Sequence, residues 1–511
     1  MELQPIQIIV FLGITALIAA VTYWYCRGQR QDENGEKEYF LAGGSLKWYF
    51  VAGSITLTNL STDQLVGMNG NQMALLAWWE LAAVVGLFML AFIFIPVYYK
   101  YNCTTTTELL EKRYNDKNIR ALISVLFLLG NIGIFLPAIL YGGSQFMISM
   151  FGISMEPVNV PMFGEIDPMI FILSVVFATI GACYAIFGGF RAVAVSDTFS
   201  GILLLSLALF VTYIALKAIN FDFTGIPADR LTLIGAPDSD IPFTTLFTGM
   251  LFIQMFYWST NQTITQRAMA SPSVKEAQKG ILAAAGIRLL IVPPIIVLPG
   301  IVAYKLYGRV ENDLAYGQLV GELLPTFLSG AFAAAILAAI LTTFNSILNA
   351  SAALWVCDIH ETYIDKKPNV KKLSLWVSIV MVALSLLLVP FFATQESLIN
   401  TVQKLYGLLS MPILSAFIVG LLFKNVSPKA MISGVIIGVM FYGVTTGVFA
   451  FKLRRTNFSF NLTVDLHYIH LMAITLILAV ISALLISLRQ GRKPEWDAGT
   501  VFGKDKVSVD A

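Results

Sequence analysis

The sequence predicts an all-α polytopic membrane protein, and three observations carry that prediction. Of 511 residues, 57% are hydrophobic and only 13% charged, about half the charge of an average soluble domain. Apolar stretches of roughly 20 residues recur from end to end, each long enough to cross a hydrocarbon core of ~30 Å. Two of those stretches carry polar clusters at mid-span, the depth where polarity costs most. No segment outside the stretches is long enough for a separate soluble domain.

In order, the spans fall at about 5–25, 46–69, 76–99, 119–150, 168–189, 197–219, 243–268, 279–306, 318–356, 371–392, 398–423, 428–450 and 466–488, about thirteen in all. The first has no basic residues before it and no small-residue cleavage site after it, so it reads as a retained helix and not as a signal peptide. The second contains "AGSITLTNLSTDQLVGMNG" (52–70), and the seventh "IQMFYWSTNQTITQR" (253–267). Both place Ser, Thr, Asn and Gln in mid-membrane. They lie five spans apart and so enter from opposite sides. This is the trace of a five-plus-five inverted repeat, spans two to six and seven to eleven, with a discontinuous first helix in each half. Unpaired backbone groups at such a break are tolerated where they face a cavity.

The ninth span, "SGAFAAAILAAILTTFNSILNASAALW" (329–355), repeats small residues every four positions on one face, which suits close helix packing. Thr342 and Thr343 stand apart from that pattern. Adjacent hydroxyls opposite a broken helix offer neutral oxygen ligands for a weakly bound monovalent cation. The alternative is that each hydroxyl bonds its own i−4 carbonyl.

Loop charges set the orientation. One set of loops collects Arg27, Arg30, Lys37, Lys112, Arg113, Lys117, Arg120, Arg191, Arg267, Lys275, Lys279, Lys366, Lys367, Lys371, Lys372 and the tail from Arg489 to Lys506. The alternate set holds only Lys217, Arg230, Lys305, Arg309, Lys452, Arg454 and Arg455. The N-terminus is therefore expected outside and the C-terminus in the cytoplasm.

Charges inside spans usually serve function. Glu80 follows Trp78 and Trp79, Asp63 is in span two, and Arg288 in span eight; Asp197 and Lys404 lie near span ends and read as loop or snorkelling charges. A carboxylate beside indoles suits a carbohydrate, because aromatics stack on sugar faces and carboxylates accept hydroxyl protons. Against this stand interfacial tryptophans and a plain Glu80–Arg288 ion pair.

Several classes are excluded. The net charge of +2 and the lack of a basic patch give no nucleic-acid partner, and no obligatory protein partner is evident. Four scattered cysteines and three histidines near span ends form no metal or disulfide framework. No nucleophile–base pair, phosphate loop, HExxH or CxxC marks an enzyme. Glycosylation triplets at Asn457 and Asn461 fall in an outward loop.

Four segments resemble the sodium/solute symporter family, and within it the sodium/sugar cotransporter branch and its bacterial members. They are "EYFLAGGSLKWYFVAGSITLTNLSTDQLVGMNG" (38–70), "YWSTNQTITQRAMASPSVKEAQKG" (257–280), "LIVPPIIVLPGIVAY" (290–304) and "AILTTFNSILNASAALWVCDIHETYI" (339–364). The resemblance implies the LeuT-like ten-helix inverted repeat with one extra helix before it. Residues 1–37 form that helix and its loop, 38–425 the transport core, and 426–511 two further helices and a cytoplasmic tail. It implies a sodium site from the carbonyls of Leu57, Leu60 and Ala339 with the hydroxyls of Thr342 and Thr343. Some relatives hold a further sodium, for which the matching positions are Asp197, Thr342, Asn345 and Ser346; Asn345 departs from the family's serine.

For substrate, the matching positions are Asn59, Gln64, Glu80, Gln254, Arg288 and Gln403, with Tyr257 as an aromatic inner gate. Asn is more familiar where Gln254 stands, and Lys where Arg288 stands. Arginine prefers planar anions, which points to a sugar acid or substituted sugar. The implied function is sodium-coupled uptake of a sugar or sugar derivative by alternating access across a plasma membrane, the inner membrane in a bacterium. The alternatives are a symporter for sialic acid, a carboxylate or an amino acid, a non-transporting sensor, and a membrane enzyme.

Overall fold

The computed structural model describes residues 4–26, 36–310, 313–449, 451–452, 459–460 and 464–502, without side chains at 36, 183–189, 451, 452, 459, 460, 500 and 502. Arg27, Arg30, Arg454, Arg455, Asn457, Asn461, Lys504 and Lys506 lie outside the described residues, as do the side chains of Cys183 and Lys452.

A hydrocarbon core offers no water to backbone polar groups, so a crossing chain closes its hydrogen bonds within helices. In chain order these are α1 (Pro5–Cys26), α2 (Trp48–Asn59), α3 (Thr62–Leu65), α4 (Ala74–Lys100), α5 (Lys117–Phe151), α6 (Pro168–Ala218), α7 (Gly249–Ser259), α8 (Gln262–Met269), α9 (Val274–Tyr307), α10 (Thr326–Tyr363), α11 (Val370–Ala393), α12 (Leu398–Leu422), α13 (Pro428–Thr445) and α14 (Tyr468–Arg489). All but α2, α3, α7 and α8 carry one of ten stretches, among the described residues, that are long and apolar enough to cross a membrane. The strands are short pairs, such as Val158–Val160 against Gly164–Ile166.

Two expected boundaries move. The loop expected at 190–196 is helical, and α6 runs from Pro168 to Ala218; "FRAVAVS" contains neither Pro nor Gly to stop a helix. The ninth span starts at Thr326 and not at 318, because Leu324 is extended before Pro325 and separates the short helix Ala315–Leu323. Its far end runs on to Tyr363 through the π-helical turn Leu354–His360. A second such turn, Asn131–Phe135, lies inside α5. These turns are often found at functional sites.

α6 packs along α10 and α2, and α9 along α2. α1 lies on α10, where Gln7 Nε2 donates to Ser329 Oγ at 2.8 Å. α13 and α14 pack on each other and on α12. Two glycines set the approach of the helices that matter most. A Cβ on Gly86 of α4 would lie 2.4 Å from the Gln254 carbonyl of α7, so only glycine permits that contact. Pro299 in α9 gives no N–H to the Ile295 carbonyl, and Asn69 repairs the gap. Asn69 Nδ2 donates to Ile295 O at 3.1 Å, and its Oδ1 accepts from Gly300 N at 2.9 Å. A Cβ on Gly300 would lie 2.2 Å from the Asn69 carbonyl. The chain just past the first break is thereby fixed to α9.

Candidate functional site

Both expected helix breaks are present. α2 ends at Asn59, Leu60 and Ser61 leave helical geometry, and α3 starts at Thr62. α7 ends at Ser259 and α8 starts at Gln262. At the first break Ser61 donates its N–H to Asn59 O at 2.9 Å, and Gln64 and Leu65 both donate to Ser61 O. In a continuous helix Ser61 would serve Leu57 and Gln64 would serve Leu60. The carbonyls of Leu57 and Leu60 thus lose their i+4 donors within a fully buried segment.

Thr343 of α10 faces a cavity lined also by Thr58, Asn59, Ser61 and Asp63 of the first break and by Asn261 and Thr263 of the second. Its Oγ1 is buried without a hydrogen-bond partner, so it does not bond its own i−4 carbonyl, that of Ala339. An orphaned hydroxyl across a cavity from the segment whose carbonyls are released offers oxygen donors of the kind that fit a hard monovalent cation. Thr342, one residue before, is buried on the same helix, and its carbonyl accepts from Ser346 Oγ at 2.6 Å.

A second cavity, about 480 Å³ with its open mouth, adjoins the first and shares Asn59, Asp63, Phe135 and Tyr257 with it. Asn59, Gln64, Glu80, Gln254, Tyr257 and Gln403 all line it. Arg288 stands behind them, fully buried, with Nη2 2.6 Å from each Glu80 oxygen. The same nitrogen reaches Asn59 Oδ1, and Nη1 donates to Thr56 O at 3.2 Å. Gln64 Nε2 donates to Glu80 at 2.6 Å and to Asn59 at 3.0 Å. Asn59 Nδ2 donates to the Tyr257 hydroxyl at 2.9 Å. Gln254 is committed at both ends: Nε2 donates to Trp79 O at 2.7 Å, and Oε1 accepts from Trp258 Nε1 at 2.9 Å.

The expected pair of indoles is corrected. Trp79 is buried in the cavity wall, but Trp78 turns away and donates to Leu233 O at 2.7 Å. Neighbours on a helix point about 100° apart, and here that turn carries Trp78 out of the cavity. The second indole is Trp258, whose ring the Arg288 guanidinium covers at 4.7 Å. Tyr257, Tyr406 and Phe135 form an aromatic cluster between the cavities, with Phe135 and Tyr406 centroids 4.6 Å apart. Trp258, Tyr406, Phe135 and Asp63 were not read as site residues. Trp258 adjoins Tyr257 and Asp63 was a charge in a span, so both had a signal; Phe135 and Tyr406 had none.

Asp197 and Arg267, read as loop charges, are fully buried. Asp197 Oδ2 accepts from Ser54 Oγ, and Oδ1 has no hydrogen-bond partner. Arg267 Nε donates to Thr58 Oγ1 at 2.7 Å; Nη2 donates to Ser346 Oγ and lies 4.0 Å from Asp197 Oδ2. Both amide atoms of Asn345 are buried without a partner. The Lys404 side chain is exposed, as expected.

Two facing cavities, walled by the ends of two interrupted helices inside a lipid-embedded bundle, define a membrane carrier for a small solute. The sodium:solute symporter family matches residues 39–438, and the chain belongs to that family. It is 32% identical to the uncharacterized symporter YidK of Escherichia coli (strain K12), over 98% of this chain and 87% of that one. It is 29% identical to the sodium/glucose cotransporter of Vibrio parahaemolyticus, over 86% of this chain and 84% of that one. Its fold is similar to that of a Na+-coupled sialic acid symporter solved in a substrate-bound outward-open state, with TM-score 0.78 and 19% identity over 96% of this chain and 98% of that one. The family is one of transporters, and sodium is the coupling ion.

Proposed function

We propose that the protein takes up a neutral sugar or sugar derivative with sodium by alternating access. The observation that supports this most is the charge of the cavity wall. Arg288 is spent on Glu80, and the other charged wall residue, Asp63, is acidic. A carboxylate there would face buried acid without a free cation, which is costly. Hydroxyls suit the place: Asn59, Gln64, Glu80 and Gln403 supply acceptors and donors, while Trp79 and Tyr257 supply ring faces. The sequence expectation of a sugar acid rested on a free Arg288, and its ion pair removes that ground.

The same reading takes the two breaks as the first helices of a five-plus-five inverted repeat in a chain of about thirteen spans. Residues 38–425 are its core, with 1–37 and 426–511 flanking it. The N-terminus is outside and the C-terminus cytoplasmic, in the inner membrane of a bacterium. Leu57, Leu60, Ala339, Thr342 and Thr343 hold sodium, which draws the open carbonyl end of α2 toward α10 and so orders Asn59 and Gln64 for solute. Tyr257 closes over the solute, and opening of the opposite side releases both. One charge falling through ~100 mV supplies ~2.3 kcal/mol, and a tenfold sodium gradient ~1.4 kcal/mol. Together these hold roughly a 500-fold solute gradient.

The test is radiolabelled sugar uptake into proteoliposomes under an imposed sodium gradient, with competing solutes. Neutral hexoses and polyols are expected to compete, and sialic acid, uronic acids and amino acids to have no effect. Competition by an acid but not by neutral sugars would overturn the reading.

A further inference from the structure

We propose that Arg267 occupies the place of a second sodium ion, so that the carrier moves one sodium per solute. The inference rests on the sodium reading above but not on the identity of the solute. Asp197 and Ser346, two of the positions that match a further sodium site, face a buried guanidinium. Ser346 has no lone pair to spare. A hydroxyl has one proton and two acceptor sites. Its proton goes to Thr342 O at 2.6 Å, Arg267 Nη2 takes one acceptor site, and Thr58 Oγ1 stands over the other at 3.3 Å.

Arg267 is held there by more than Ser346. Nε donates to Thr58 Oγ1 at 2.7 Å and Nη1 to Thr263 O. Phe190 lies under the guanidinium at 5.6 Å. These contacts join α2, α6, α8 and α10 at one point beside Thr343. Arginine keeps its proton in proteins, so the charge is permanent and cancels that of Asp197. A second cation would bring an unbalanced charge into a closed site. Asn345, where the family has serine, hydrogen-bonds neither Asp197 nor Ser346. Arg267 is thus a positioning residue that does permanently what a second ion would do transiently.

The experiment is equilibrium binding of radioactive sodium to purified full-length protein, without solute. Wild type is expected to bind one ion per chain with a Hill coefficient of about 1. Arg267→Gln is expected to bind two, and Arg267→Gln with Asp197→Asn to return to one. Arg267→Lys keeps the charge and keeps the count at one. Two ions on wild type overturn this inference and leave the uptake reading standing, whereas none on folded wild type overturns both. A folded Arg267→Gln that still binds one ion also overturns it. If that variant does not fold, the wild-type count decides alone.

Discussion

At the first break, Ser61 turns its N–H back to Asn59, its side chain caps nothing, and the carbonyls of Leu57 and Leu60 are left open. At the second, side chains of neighbouring helices reach the break. Thr260 and Asn261 both donate to Phe256 O, and Asn261 Oδ1 accepts from Thr263 N at 2.9 Å. Tyr98 of α4 donates to Ser259 O at 2.9 Å, and Asn261 Nδ2 donates to the Tyr406 hydroxyl of α12 at 2.9 Å. The two breaks carry the same kind of sequence and serve opposite ends. The first faces the unpartnered Thr343 hydroxyl across a cavity, and the second is tied through Ser259 and Asn261 to α4 and α12. Whether a helix break is a site or a joint depends on which neighbours reach it.

The sharpest way to probe the open side is its buried ion pair. Glu80→Gln leaves Arg288 without its counter-charge and is expected to cost about 3–5 kcal/mol of stability, read by thermal unfolding in detergent. Adding Arg288→Met should recover most of that loss but no transport. Next comes Thr343→Ala, expected to raise the sodium concentration for half-maximal uptake about 10–100-fold, as losing one ligand to a charge costs ~1.5–3 kcal/mol. Unchanged sodium dependence would erase the distinction between the breaks.

At the second break, Asn261→Ala removes a cap worth about 1 kcal/mol. Stability should fall by that amount while sodium half-saturation stays as in wild type; a large sodium effect would mean the second break is also open. Gln403→Ala should weaken solute affinity less than tenfold, about 1 kcal/mol for one neutral hydrogen bond, with sodium binding intact.

The smallest effect lies outside both breaks. Burial, with the His470 charge, pushes His467 down to about 4, and its ring caps α14 by accepting from Ile469 N. The folded value lies below the usual ~6.5. The stability it contributes is therefore complete above that value and is lost as pH falls from about 6.5 toward 4. The unfolding temperature of wild type should drop over this window, and that of His467→Asn less so.

Much of this was legible along the chain. The cluster from Thr56 to Gln64 marked a break because polar side chains and freed backbone groups belong together in lipid. Thr342 and Thr343 stood out from a stripe of alanines. Asp197 and Arg267 were misread because each lies near an end of an apolar run, and position along a helix says nothing about which helices cover it. Trp78 and Trp79 were read as a pair because adjacency in sequence was taken for adjacency in space.

By itself the sequence determined that apolar runs recur along the chain and where two of them are interrupted. Those are local matters of hydropathy, backbone hydrogen bonding and chain length. Only the tertiary structure decided that Tyr98 and Tyr406 bond to one interruption, that Glu80 neutralises Arg288, and that Arg267 stands among Thr58, Asp197 and Ser346. Each of these is a contact between residues far apart in the chain, and the strength of a charge in a low-dielectric interior is set by what packing brings beside it.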